Sequence, residues 1–141
     1  MFLKTFSALA IAIAWVGSAA ADSSYNSCPA GAKPESETCK TLKLFNKAGV
    51  TAKSVNVIQQ PNEAGCTKDE RHYSENLGDE EILRVKVDPR CKYKIRFKTK
   101  SSCSGDSTAY MTPSKFADGK NTVFLHGKCS SLKTKVDYYQ W

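Results

Sequence analysis

The sequence is short of the residues from which catalytic and metal sites are commonly built. It holds two histidines, His72 and His126, with two tryptophans and two methionines in 141 residues. No cysteines stand in a C-x-x-C spacing and the histidines are not placed as a ligand pair, so no metal site is expected. A G-x-S-x-G elbow, an H-E-x-x-H helix and a glycine-rich phosphate loop are all missing, and nothing calls for a cofactor. Long apolar runs are missing too. The longest, Phe6 to Val16, falls short of the roughly 20 residues that cross a bilayer, so no transmembrane segment is expected.

That run follows Lys4 and leads into the small residues Gly17 to Ala21, which is the layout of a signal peptide. Cleavage is expected after Ala21, releasing a secreted chain, extracellular or periplasmic. The leader would carry away one lysine, so nearly all of the net charge of +7 stays with the mature chain. A basic excess of this size points to an anionic partner or to generic surface charge. All six cysteines, Cys28, Cys39, Cys66, Cys91, Cys103 and Cys129, lie after the cleavage point and read as up to three disulfides.

Residues 22–40 are rich in Ser, Pro, Ala and Gly and read as an irregular N-terminal segment, followed by one domain over 41–141. Seven short runs of strand character follow: Thr41–Asn46, Ser54–Gln60, Ile82–Asp88, Cys91–Thr99, Ser107–Thr112, Thr122–His126 and Leu132–Tyr138. The fold class expected is all-β, a small disulfide-stabilised antiparallel β-sandwich. At most one or two helical turns fit, near 112–119, where Thr112 can cap, Pro113 starts the turn and Gly119 ends it. The polar stretch Pro61 to Glu81 reads as a surface loop tied down by Cys66, with room for a short extra strand.

Between Ile82 and Thr99 the alternation is regular. Leu83, Val85, Val87, Cys91, Tyr93, Ile95 and Phe97 are apolar or thiol, while Arg84, Lys86, Lys92, Lys94, Arg96 and Lys98 are cationic. Read as a hairpin closed by Asp88-Pro89-Arg90, the segment pairs Val87 with Cys91, Lys86 with Lys92 and Arg84 with Lys94. The six cations then form one basic ribbon, with Tyr93 and Phe97 on the opposite side. With no aromatic ring among the cations, a nucleic-acid platform is not expected. In the tail, alternation places Tyr138 inward and leaves Tyr139 and Trp141 as candidate stacking residues for a sugar ring or a protein partner.

If the strands alternate up and down, chain geometry favours the bridges Cys28–Cys91, Cys66–Cys103 and Cys39–Cys129. A Cys91–Cys103 bridge is excluded, because a strand from Cys91 to Thr99 carries its ends ~27 Å apart and four residues return at most ~14 Å. The function expected is a secreted, non-enzymatic binding module that presents the basic ribbon to an anionic glycan, a cell-surface component or a protein. Two alternatives stand beside it. One is a hydrolase inhibitor inserting the loop Pro61–Glu81 into a cleft; the other is a small secreted ribonuclease using His72 and His126. An outer-membrane barrel is disfavoured, because only Cys91–Thr99 approaches the ~9–11 residues of a membrane strand.

Overall fold

The computed structural model describes residues 20–62, 64–73, 76–100, 103 and 106–139, with the side chains of 20–24, 72 and 73 excepted. The expected leader therefore lies outside the described residues, apart from Ala20 and Ala21. Nine strands and one short helix follow in order: β1 (Ala20–Asn26), β2 (Lys40–Asn46), β3 (Ala52–Gln60), β4 (Asp69–Tyr73), β5 (Ile82–Val87), β6 (Lys92–Thr99), β7 (Asp106–Met111), α1 (Pro113–Ala117), β8 (Thr122–Lys128) and β9 (Ser131–Asp137). They form a five-stranded sheet, β1-β5-β2-β8-β9, packed on a four-stranded sheet, β4-β3-β6-β7. Among the described residues no helix is long and apolar enough to cross a membrane.

Alternation builds the core. Leu42 and Leu44, Val85 and Val87, Val123 and Leu125 point inward from the five-stranded sheet; Val55 and Val57, Tyr93, Ile95 and Phe97, and Met111 meet them from the four-stranded sheet. All seven expected strands are present, and α1 has the expected cap, with the Thr112 side chain accepting from the Lys115 amide and Pro113 opening the helix. Two strands are additional. β1 begins on Ala20 and Ala21, the last residues of the expected leader, and runs into the stretch expected to be irregular: its Asp22-Ser23-Ser24 has little strand propensity, and pairing with β5 supplies the order. β4 lies in the stretch 61–81 and has no apolar alternation, as suits an edge strand held by its backbone pairing to β3. The four-stranded sheet is antiparallel throughout, while the β1–β5 and β2–β8 pairings are parallel.

The expected hairpin does not form. β5 pairs with β1 and β2, whereas β6 pairs with β3 and β7, so Asp88-Pro89-Arg90 carries the chain from one sheet across to the other. The Asp88 carboxylate accepts from the Arg90 amide at 3.0 Å and from its Nε and Nη2 at 2.9 and 2.7 Å, and the Cys91 amide donates to the Asp88 carbonyl at 3.1 Å. Strand alternation tells inward from outward in either arrangement. It cannot tell a hairpin from an arch, because the inward residues of two facing sheets are equally buried. The arch also separates Lys86 from Lys92 and Arg84 from Lys94, pairs that a hairpin would have held at a cost of roughly 0.2–1 kcal/mol each.

The disulfides also differ from expectation, being Cys28–Cys39, Cys66–Cys91 and Cys103–Cys129. The excluded Cys91–Cys103 bridge is indeed not formed. Successive strands do run up and down, but β4, which is not among the seven expected strands, turns β5 and β6 end for end: β3 ends beside the start of β6, with Gln60 opposite Lys92, which brings the loop carrying Cys66 to Cys91. Cys103–Cys129 joins the β6–β7 connection of one sheet to the β8–β9 turn of the other. Near the end of β8, just before that turn, Gly127 has φ +99°, and a Cβ built there would run into the Ser131 carbonyl oxygen. Gly127→Ala is therefore expected to destabilise the protein by about 3 kcal/mol, combining left-handed strain with a backbone clash. Gly31→Ala, also at positive φ but in open space, is the control and is expected to lose about 1 kcal/mol. Equal melting temperatures for the two variants would refute the clash.

Candidate functional site

The arch divides the expected ribbon between the two outer faces. On the four-stranded sheet, Lys92, Lys94, Arg96 and Lys98 alternate outward along β6, an interior strand, at a spacing of about 7 Å for every second residue. Their neighbours across the ladder are Gln60, Ile58, Asn56 and Ser54 on β3, and Tyr110, Thr108 and Asp106 beside Lys94, Arg96 and Lys98 on β7. Arg96 is paired: its Nε and Nη2 reach Asp106 Oδ2 at 3.0 and 2.7 Å. Lys92 lies with its ammonium 4.9 Å from the centre of the Tyr110 ring, which is 42 % exposed. Among the described residues, Lys92, Lys94 and Lys98 have no carboxylate within ion-pair distance.

Tyr110 also corrects the expectation of a face without rings. Tyr93 and Phe97 do point into the core, but β7 contributes an exposed ring beside the cations. The signal was in the sequence. Tyr110 alternates with the buried Ala109 and Met111, and only the identity of the neighbouring strand was missing.

Arg84 and Lys86 stand on the other face, with different company. Across the ladder they meet Lys43 and Thr41 of β2 on one side, and Asp22 and Asn26 of β1 stand in register on the other. Next to them Phe45 is covered by Phe124 at 5.6 Å and by Tyr139 at 6.1 Å between ring centres, and the Lys43 ammonium lies 4.1 Å above the Tyr139 ring. The tail thus reverses the expected alternation. Tyr138 is 47 % exposed, while Tyr139 turns onto the sheet with its amide donating to Asn121 Oδ1 at 3.0 Å. The strand ends at Asp137, so its alternation no longer governs these two residues. Trp141 lies outside the described residues.

Beneath the arch is a polar cluster around the Tyr93 hydroxyl. It receives the Asp88 amide at 3.0 Å and lies 3.0 Å from Gln59 Oε1, 3.1 Å from the Asp88 carbonyl and 2.7 Å from Ser27 Oγ. A cavity of about 210 Å³ opens beside it, lined by Ser27, Gln59, Asp88, Arg90 and the Cys66–Cys91 bridge. Burial raises the Asp88 carboxyl, but hydrogen bonds from Arg90 and its positive charge outweigh this and hold it below the usual carboxylate range. Burial pushes the Tyr93 hydroxyl up to about 12, against a partial lowering by its bonds to Ser27 and Asp88.

A raised folded pKa favours the protonated form. The stabilisation is whole below pH 10, where the unfolded tyrosine keeps its proton, and is lost as the pH climbs to about 12. About 3 kcal/mol is expected to disappear over that interval. Melts of the wild type and Tyr93→Phe at several pH values check this: the wild type's advantage near neutrality must close as the pH rises, and a constant gap would contradict it.

The histidines are not brought together. His72 is on β4 of the four-stranded sheet and His126 on β8 of the five-stranded sheet. All six cysteines are oxidised, so none supplies a thiol. Among the described residues no three His, Cys, Asp or Glu side chains form a metal-binding group. Nor is the stretch 61–81 a free loop: it contributes β4, a Leu77–Ala52 backbone bridge and the Cys66 anchor.

No protein-family model and no curated protein matches the chain. Solved structures overlap it weakly. The membrane-binding domain of pneumolysin aligns at 10 % identity and a TM-score of 0.43, over 73 % of this chain and 99 % of that one. Whole pneumolysin gives 12 % identity and 0.43, over 72 % of this chain and 24 % of the toxin. The human-specific toxin intermedilysin gives 11 % and 0.42, over 74 % and 24 %. The chain spans about a quarter of the length of those whole toxins. Overlap of that size at that identity says nothing about what this chain binds.

Proposed function

We propose that the protein is a secreted, non-enzymatic binding module that lays the outer face of its four-stranded sheet along a linear anionic glycan. The observation that carries this reading is the row Lys92, Lys94, Arg96 and Lys98, in which three of the four cations have no carboxylate within ion-pair distance among the described residues. An extended strand sets these charges out in a row, along which an extended polyanion meets them in succession and releases counterions at each contact.

Two considerations favour a glycan over a single-stranded nucleic acid. Three disulfides suit an oxidising compartment, where the abundant polyanions are sulfated and carboxylated glycans. Among the described residues the face offers one exposed ring, Tyr110, whereas strand-binding platforms stack successive bases on several.

The test is retention on an immobilised sulfated polysaccharide and on a polyuronate as salt is raised, beside a single-stranded oligonucleotide of equal charge. Binding to the glycans, falling steeply with salt, is expected, with the oligonucleotide weaker. Preference for the oligonucleotide would reassign the face to nucleic acid. No retention at low salt would overturn the reading.

A further inference from the structure

The charges are sorted between strands in a way that neither solubility nor edge protection explains. None of the five interior strands, β2, β3, β5, β6 and β8, contains an Asp or Glu. Each of the four edge strands does: Asp22 on β1, Asp69 and Glu70 on β4, Asp106 on β7, Asp137 on β9. Charged edges are the usual guard against edge-to-edge pairing, so the edge acids need no other cause. Edge protection does not account for interior strands whose outward positions carry cations and no carboxylate.

The result is a molecule with two outer faces whose interior strands carry cations, every carboxylate of the strands lying on an edge strand. On the five-stranded sheet the second face consists of Lys43, Arg84 and Lys86, beside the Phe124 and Tyr139 rings. Arg84 has Lys43 as its cross-strand neighbour on β2 and Asp22 in register on the edge strand β1, so Lys43, Arg84 and Lys86 outnumber the one carboxylate in register with them.

From this sorting we infer that the outer face of the five-stranded sheet is a second anionic-glycan site, and that the protein cross-links two glycan chains. The inference rests on the reading of the first face given above. Packed sheets lie ~10 Å apart, and extended lysines on both sides bring the two layers of charge to roughly 20 Å. That exceeds the Debye length of about 8 Å at physiological salt, so the faces bind independently. They also point in opposite directions. One stiff chain lying flat on either face leaves the other open for a second chain, and the rings of the second face give its sugars a surface to stack on.

Calorimetry with a short sulfated oligosaccharide, and light scattering with the long polymer, test this on the full oxidised protein. Two oligosaccharides per protein are expected, together with scattering that rises on mixing and falls again in excess polymer. Arg84→Glu/Lys86→Glu is expected to bind one oligosaccharide, stay on the polymer column and lose the scattering. If that variant melts more than a few degrees early, Arg84→Gln/Lys86→Gln takes its place, with at least a tenfold weaker second site expected. One oligosaccharide per wild-type protein, or scattering that survives in these variants, overturns the cross-linking while leaving the first face intact. Absence of any binding overturns the first face and the second with it.

Discussion

Complete reduction of the three disulfides is expected to abolish the cooperative thermal transition at physiological temperature. Restricting the unfolded chain stabilises the native state by an amount that grows with the loop closed. Sequence separations of 25 and 26 residues correspond to about 3.5 kcal/mol each, and the separation of 11 to about 3 kcal/mol. Together they amount to about 10 kcal/mol, within the whole stability of an ordinary domain, about 5–15 kcal/mol. Circular dichroism melts with and without reductant measure this directly. Removing one bridge at a time should rank them, Cys28→Ser/Cys39→Ser being mildest. Cys103→Ser/Cys129→Ser should be the more damaging, since that bridge holds the two sheets together at one end. A reduced protein that melts cooperatively within about 5 °C of the oxidised one would show that the core is sufficient alone.

Charge reversal on β6 is expected to produce the largest effect on binding. In the Arg84→Glu/Lys86→Glu background, where the first face alone remains, adding Lys92→Glu, Lys94→Glu and Lys98→Glu should weaken oligosaccharide binding at least about 100-fold. Each lysine at an anionic surface contributes about 1 kcal/mol, and three of them amount to about two powers of ten. The dependence of affinity on salt should flatten as well, because three fewer counterions are released. Reversals at the exposed Lys33, Lys68 and Lys100 in the same background change net charge equally and serve as the control. Equal losses in the two sets would mean that overall charge, and not the row, drives binding.

Much of the architecture was legible in the sequence, and the failures have two causes, partner identity and the strand β4. Alternation located the seven strands and named the inward residues from Leu83 to Phe97, because burial on a pleated sheet has a period of two residues whatever the partner strand is. Partner identity is a property of the whole chain. Asp88-Pro89-Arg90 fits a tight connection equally well as hairpin or arch, and the choice depends on β1, β2 and β3 competing for the same edges. Reading the arch as a hairpin merged the two faces into one ribbon, and leaving out β4 turned the later strands end for end and misplaced Cys91 relative to Cys66. The cations themselves were correctly placed outward; what the sequence concealed was that two of them face away from the other four. Lys43 and Tyr110, on strands recognised from the start, became part of the site only once neighbours were known.

The bridges have a sequence order with consequences for biogenesis. Each cysteine is joined to the next one along the chain, Cys28 to Cys39, Cys66 to Cys91 and Cys103 to Cys129, so no bridge spans or interlaces with another. For a polypeptide threaded amino end first into an oxidising compartment, the correct partner of the first, third and fifth cysteines, Cys28, Cys66 and Cys103, is also the next to arrive. Oxidation in order of appearance is then oxidation to the native pattern. Such a chain has little need of a disulfide isomerase, and wrong pairings arise chiefly when it is denatured whole and refolded with all six thiols present at once.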